Sequence, residues 1–223
     1  MQMTKKILIL LFILIPINAN ALIEVDITRG NLNPLPLAVS PLSIDEESRK
    51  SFEKILKKEN IGSEISNIVE NNLRTSGLFN PLDKKAFLQS PDIANLKPRF
   101  EDWNLIKAQA LITGKVNYVD DKLRVEFRLW DVLAAKEMMA LAFTTVPNNW
   151  RRVGHIISDK VYERLTGEKG YFDTRIIYVS EEGPKTQRIK KLAIMDQDGA
   201  NNKFLTLGNE LVLTPRLIQQ VKW

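Results

Sequence analysis

The sequence predicts an α+β domain, in which two main helices pack on a mixed, mostly antiparallel sheet, followed by a shorter all-β region. Two segments carry apolar residues at helical spacing, and between them three segments alternate apolar and polar residues as half-buried strands do. At 44% hydrophobic residues the chain can form a core. It needs one, because a chain without cysteine has no disulfide to support its fold.

The N-terminus has the layout of a secretory signal peptide. Basic residues precede an unbroken apolar stretch, residues 7–15, and a small-residue tail ends at Ala21. The stretch is about half of the ~20 residues that a membrane-spanning helix needs. We therefore expect cleavage between Ala21 and Leu22 and export to the periplasm, rather than a retained anchor. A lipoprotein is excluded, since the chain has no cysteine to acylate.

The first elements of the mature chain are predicted to be strands and a charged helix. Residues 22–28 alternate apolar with acidic or polar side chains, which predicts a terminal strand. Residues 35–40 contain two prolines and therefore favour an edge strand over a central one. The charged stretch 44–60 is predicted to be partly helical, with one buried stripe. That stripe consists of Phe52, Ile55 and Leu56.

The first main helix is predicted to begin at Ser63, its N-cap, and to end before Gly77. Its inward stripe consists of Ile65, Ile68, Val69, Asn72 and Leu73. A short helix around residues 99–108 carries Trp103 on its apolar side. The strands that follow are predicted at residues 110–119, 123–130 and 138–146.

The second main helix is predicted from Trp150 to Leu165, with Asn149 as its cap and Gly167 closing it. Its inward residues are Val153, Ile156, Ile157, Val161, Tyr162 and Leu165. A polar, glycine-containing linker follows, and then three short strands. Those strands are predicted at residues 175–180, 189–195 and 203–206.

An enzymatic function is disfavoured by the residue types present. The chain has no cysteine nucleophile and one histidine. That residue, His155, lies one step off the apolar stripe of its helix, which predicts a residue at the rim of the core rather than a catalytic base. We expect no catalytic residue, no cofactor and no small-molecule substrate.

The turn Asp196, Asp198, Gly199 and Asn201 admits a calcium interpretation, because closely spaced carboxylates suit a hard cation. Counted from Asp196 as position 1, however, an EF-hand loop would place Asn201 at its glycine and Leu207 at its bidentate glutamate. The four residues are better interpreted as a tight hairpin turn, with Gly199 at positive φ and no metal.

The charge pattern disfavours nucleic acid as a partner. The precursor has a net charge of +5, and two of its basic residues, Lys5 and Lys6, leave with the signal peptide. The other basic residues are interspersed with acids, as in solvated helix surface.

Several long segments resemble the TolB family of the Tol-Pal envelope system. They are residues 76–79, 108–114, 124–131, 149–152, 162–175 and 192–201, the last within a strand pair typical of a propeller blade. The resemblance implies a non-enzymatic periplasmic adaptor with an α/β domain and a six-bladed β-propeller. It implies that the propeller binds Pal, that the mature N-terminus binds TolA, and that the protein reaches membranes only through partners. The TolA-binding residues would be Leu22, Ile23, Glu24, Val25, Asp26, Ile27 and Thr28.

This resemblance predicts five regions. They are a signal peptide (1–21), a partner-binding segment (22–33), an α/β domain (34–166), a linker (167–174) and the first blade of a propeller (175–223). After Arg216 the sequence departs from the family pattern, which predicts a frameshifted or split gene, a propeller that cannot close and no Pal binding by this polypeptide alone. We further expect the blade to be the least stable part, with proteases cutting first at the linker or within the blade.

Two alternatives remain open at this stage. One is a periplasmic protein-binding module that uses only the α/β domain. The other, a propeller-bearing peptidase, requires a hydrolase domain and a serine nucleophile that the sequence lacks. The downstream DNA discriminates between a broken gene and a module, because only the former encodes further Asp-Gly-x-Asn blades.

Overall fold

The computed structural model describes residues 33–208, 212 and 215, and it contains an α+β domain followed by a three-stranded sheet. The helices are α1 (Glu46–Leu56), α2 (Ile61–Thr75), α3 (Pro91–Leu96), α4 (Phe100–Leu105) and α5 (Trp150–Thr166). The strands of the domain are β1 (Leu35–Val39), β2 (Ser43–Ile44), β3 (Phe79–Pro81), β4 (Ala110–Val119), β5 (Lys122–Asp131) and β6 (Lys136–Thr145). The predicted signal peptide and terminal strand lie outside the described residues.

The domain sheet is mixed, as predicted. Its strand order is β3-β1-β4-β5-β6, and β2 also pairs with β4. The long strands β4, β5 and β6 form an antiparallel meander, whereas β1 runs parallel to both of its neighbours. Asp120 and Asp121 form the first turn of the meander with φ values of 50° and 57°, the conformation of a tight hairpin turn.

The prediction of an edge position for residues 35–40 is wrong, because β1 lies between β3 and β4. Proline is tolerated there since the ladder with β4 begins only at Leu37 opposite Ala110, so Pro36 precedes it. The Pro36 carbonyl still accepts a hydrogen bond from Gln109 N at 2.9 Å. The missing N–H of Pro36 therefore costs the sheet no ladder bond on that side.

The helices α2 and α5 cover one face of the sheet and bury most of the core. Fully buried residues of both helices meet Leu37, Ile112, Val125 and Phe127 of the strands. Two details differ from the prediction. The helix α2 begins three residues earlier than predicted, because its N-cap is Asn60 rather than Ser63, and the Asn60 side chain accepts from Ser63 N at 3.0 Å. In α1, Phe52 is buried but Ile55 is 44% exposed.

A second apolar cluster lies on the opposite sheet face, where α3 and α4 pack. Trp103 is its largest buried member, and Phe87 packs edge-on against it at 5.0 Å. The helix α3 and the strand β3 were not predicted, since each is short and has little periodicity. This end of the domain consequently has three layers, with the sheet in the middle.

The connection after α5 is anchored to the domain rather than exposed along its length. Phe172 is fully buried and packs against Tyr162 at 5.8 Å. The Asp159 carboxylate accepts from the backbone N–H groups of Phe172 and Asp173 at 2.6 and 3.1 Å. The anchoring applies to Phe172 and Asp173, whereas residues 167–169 are exposed, so the expectation that proteases cut first at the linker or within the blade stays a prediction.

The three-stranded sheet consists of β7 (Arg175–Glu182), β8 (Ile189–Asp196) and β9 (Lys203–Phe204), paired antiparallel in that order. Ala193 is fully buried, whereas Ile176, Ile189 and Phe204 are more than 40% exposed. Within the part of the chain that the structure describes, no helix has the length and apolar character for a membrane span.

Because Phe172 is the apolar anchor of the connection, we expect Phe172→Ala to lower the free energy of unfolding by about 3–5 kcal/mol, the usual cost of emptying a buried phenylalanine site. Urea denaturation measures this change. The matched control is Tyr171→Ala. Because Tyr171 is 46% exposed, its replacement should lower the free energy of unfolding much less. An equal decrease in the free energy of unfolding in the two variants would contradict the anchoring role of Phe172.

Candidate functional site

The turn between β8 and β9 brings the small sheet against the α+β domain. Gly199 has a φ of 83° and donates its N–H to Asp196 O at 2.9 Å. The Asn201 side chain donates to the Asp196 carboxylate at 2.6 Å, and Asp198 Oδ1 accepts from Ala200 N at 3.1 Å. The structure thus places the four residues Asp196, Asp198, Gly199 and Asn201 together in this turn, which we call the hairpin turn.

A buried amide connects the hairpin turn to the two main helices. Asn72 of α2 is 2% exposed, and its Nδ2 lies 2.9 Å from His155 Nδ1 and 3.0 Å from Ser158 Oγ, both on α5. Its Oδ1 accepts from Gln197 Nε2 of the turn at 3.0 Å. One asparagine side chain therefore joins two helices and the small sheet. We call Asn72, His155, Ser158 and Gln197 the interdomain cluster.

His155 is buried, so the prediction of a rim position is wrong. It is 3% exposed, and the reason is that the small sheet covers a side of α5 that the domain alone would leave open. Its Nδ1 contacts Asn72, while its Nε2 has no hydrogen-bond partner and lies 3.7 Å from Asp198 Oδ2. Burial lowers the pKa of His155 below its ordinary value of 6.5, although Asp198 and Asp196 act in the opposite direction.

Ion pairs surround the interdomain cluster and connect the same parts of the chain. The Arg151 guanidinium binds the Asp198 carboxylate, and it also lies over the Trp150 ring, 5.4 Å from its centroid. Arg152 donates to Asp173 at 3.1 Å from both Nε and Nη2. Both arginines belong to the first turn of α5, so this end of the helix is the docking point for the chain that follows it.

His155, Asp196 and Asp198 could each offer one ligand atom to a cation, since those atoms lie within 4.8 Å of one another. Their contacts do not fit that role. Asp198 already binds Arg151, whose charge would oppose a cation, and Asp196 accepts from Asn201. The arrangement fits a charged turn bound by arginine better than a metal centre.

A polar groove of about 500 Å³ runs between α2 and the hairpin turn. Its α2 wall is lined by Glu64, Asn67, Ile68, Asn71, Asn72 and Thr75, and its other wall by Arg151, Gln197 and Asp198. Amides and carboxylates dominate these walls. Because the His155 ring is enclosed between Asn72 and Asp198, it cannot serve a substrate in the groove as a general base.

Sequence reasoning placed Asn72 in the inward stripe of its helix but did not identify its role. The available signal was a single amide in an otherwise apolar stripe, because a buried polar side chain requires a partner. Ser158 and His155, three residues apart on one face of the second main helix, were the complementary signal. Gln197 and Arg151 gave no comparable signal.

Comparison with protein families matches two parts of the chain. The profile described as "TolB amino-terminal domain" matches residues 23–138, and that described as "TolB beta propeller domain" matches residues 162–222. The propeller match continues to residue 222, past Arg216, after which a departure from the family pattern was expected.

Comparison with individual proteins also finds similarity to TolB. The Tol-Pal system protein TolB of Pelagibacter ubique (strain HTCC1062) is 84% identical over 214 residues, which are 96% of this chain and 48% of that relative. The crystal structure of TolB from Acinetobacter baumannii superposes with a TM-score of 0.66 at 24% identity, covering 87% of this chain and 44% of that one. The chain thus spans about half the length of the relatives it matches.

Substituting Asn72→Ala should lower the free energy of unfolding by about 1–3 kcal/mol, because the change leaves the buried His155 and Ser158 and the half-buried Gln197 without their shared partner. The control is Asn71→Ala on the exposed side of the same helix, expected to change stability by at most about 0.5 kcal/mol. Urea denaturation followed by tryptophan fluorescence compares the two. An N72A chain as stable as the N71A chain would show that the amide is dispensable.

Proposed function

The chain belongs to the TolB family, and from that premise we propose that it acts as a non-enzymatic periplasmic adaptor of the Tol-Pal system. Its α+β domain is the TolB amino-terminal domain, and its small sheet is part of a TolB-type propeller. The observation that carries the proposal is the family match over residues 23–138, supported by the 84% identity to a Tol-Pal system protein. We propose that the adaptor couples inner-membrane TolA to outer-membrane Pal during envelope invagination at division.

The described geometry supports binding rather than catalysis. The chain's single histidine is enclosed between an amide and a carboxylate, and the groove beside it is lined mainly by amides and ion-paired side chains. Such groups recognise polypeptide by hydrogen bonds, and none of them is arranged as a nucleophile with its base. A free-standing binding module is the second candidate, and it is favoured only by the self-contained core of the α+β domain.

We propose that residues 22–28 bind TolA. An extended segment with apolar residues on one side can add a strand to a partner's sheet edge, where main-chain hydrogen bonds give affinity and alternate side chains give specificity. The described part of the domain begins with β1, whose first residue is Leu35. The preceding segment can therefore be removed without deleting any residue of the described core.

The periplasmic location can be tested at the cleavage site. N-terminal sequencing of the protein from a periplasmic extract should give Leu22 as the first residue, because Ala21 ends the small-residue tail. A protein that retains Met1 and sediments with membranes would contradict the signal peptide.

Deletion of residues 22–33 should abolish TolA capture in a pull-down while leaving the melting transition of the chain nearly unchanged. A finer variant replaces Ile23, Val25 and Ile27 with serine, which keeps the length and the acidic residues but removes the apolar side. Its matched control replaces Glu24 and Asp26 with glutamine and asparagine. If the deleted chain still captures TolA at the level of the intact chain, the assignment of this segment is wrong.

A further inference from the structure

The hydrogen bonds of the interdomain cluster specify the protonation state of His155. Asn72 Oδ1 accepts from Gln197, so its Nδ2 is the group that faces His155 Nδ1. An amide NH₂ only donates, and the ring nitrogen facing it must therefore be an unprotonated acceptor. The imidazole is neutral in this arrangement, and its single hydrogen lies on Nε2, toward Asp198.

Protonation of the imidazole is incompatible with this set of bonds. It would place an N–H at Nδ1 against the N–H of the Asn72 amide. Relief requires the amide to turn so that Oδ1 faces the ring, and Oδ1 is then lost to Gln197. Ser158, which now accepts from Asn72 and donates to Gly154 O at 2.8 Å, would also have to reorient. Protonation of His155 therefore weakens the contact between Asn72 and the hairpin turn.

The charged groups that face His155 come from three parts of the chain. Asp196 and Asp198 belong to the hairpin turn, Asp173 and Arg175 to the segment that precedes it, and Arg151 and Arg152 to α5 itself. The helix α2 contributes the uncharged amide of Asn72. The carboxylates favour a charged imidazole, but Arg151 and the exclusion of solvent oppose it, and solvent exclusion has the largest effect on the pKa.

We propose that His155 is a protonation-controlled latch, which holds the small sheet against the α+β domain when the ring is neutral and loosens it when the ring is charged. The geometric basis is the Asn72 amide, whose two ends serve the ring and Gln197 at the same time. The latch concerns the relative position of the two parts and is independent of which protein either part binds.

The sign of the pH dependence follows from linkage. Burial lowers the pKa of His155 in the docked state, so the undocked state binds more protons as the pH falls below about 6.5. Docking is then fully present above about pH 6.5 and weakens as the pH falls through the pKa of the docked state. Each unit by which docking lowers the pKa changes the docking equilibrium by about tenfold.

The composition of the chain makes the latch directly measurable. The sequence has no cysteine, so Lys85→Cys in the domain and Lys203→Cys in β9 introduce the only two sites for fluorescent labels. Both lysines are exposed. Energy transfer in the labelled mature chain should show a shift from a short to a broader, longer distance between about pH 8 and about pH 5. An unchanged distance distribution over this range would overturn the proposal.

Two further measurements separate the latch from a general effect of acid. Because the chain has one histidine, its imidazole gives a single NMR signal, whose midpoint should lie below about 6.5 and coincide with the distance change. His155→Gln cannot titrate, so its distance should be the same at both pH values. A distance change that persists in a folded H155Q chain would overturn the latch. So would a His155 signal that titrates without any distance change, and this second outcome does not depend on how well the variant folds.

Discussion

The close contact between α2 and α5 is the constraint on which the rest of the structure depends. Gly154 makes it possible, because a Cβ at that position would lie 2.9 Å from Ile68 Cγ2. At that separation Asn72, one turn beyond Ile68, reaches both His155 and Ser158 on α5. A wider spacing would leave buried polar groups without partners, which costs more than the hydrogen bonds contribute when made.

From this contact the position of the small sheet follows by two different interactions. Phe172 fixes the connecting segment by filling an apolar site against Tyr162, and this contact has little dependence on direction. The Asn72 to Gln197 hydrogen bond and the Arg151 to Asp198 ion pair are directional, and they set the orientation of the hairpin turn. Apolar burial thus holds the sheet near the domain, while polar contacts select one arrangement.

The elements that could be predicted from the sequence are those with local, repeated signals. The two main helices, the three meander strands and the Asp196 to Asn201 turn all carry periodicity or turn residues that specify them locally. The central position of β1 could not be predicted, since it depends on where β3 and β4 lie. The burial of His155 depends on the hairpin turn about forty residues further along the chain, and no local pattern encodes a contact at that separation.

The difference between apolar burial and directional polar contacts explains why polar residues form the contact at the hairpin turn. A large apolar interface would expose a contiguous apolar surface whenever the two parts separated, and such surfaces promote association. Here, amides and ion pairs can exchange their partners for water at modest net cost, while Phe172 remains buried against α5. The connecting segment can therefore stay attached through Phe172 and Asp159 when the hairpin turn moves. One apolar anchor that stays buried, combined with one polar contact that can exchange its partners for water, lets the small sheet change position without detaching from the domain.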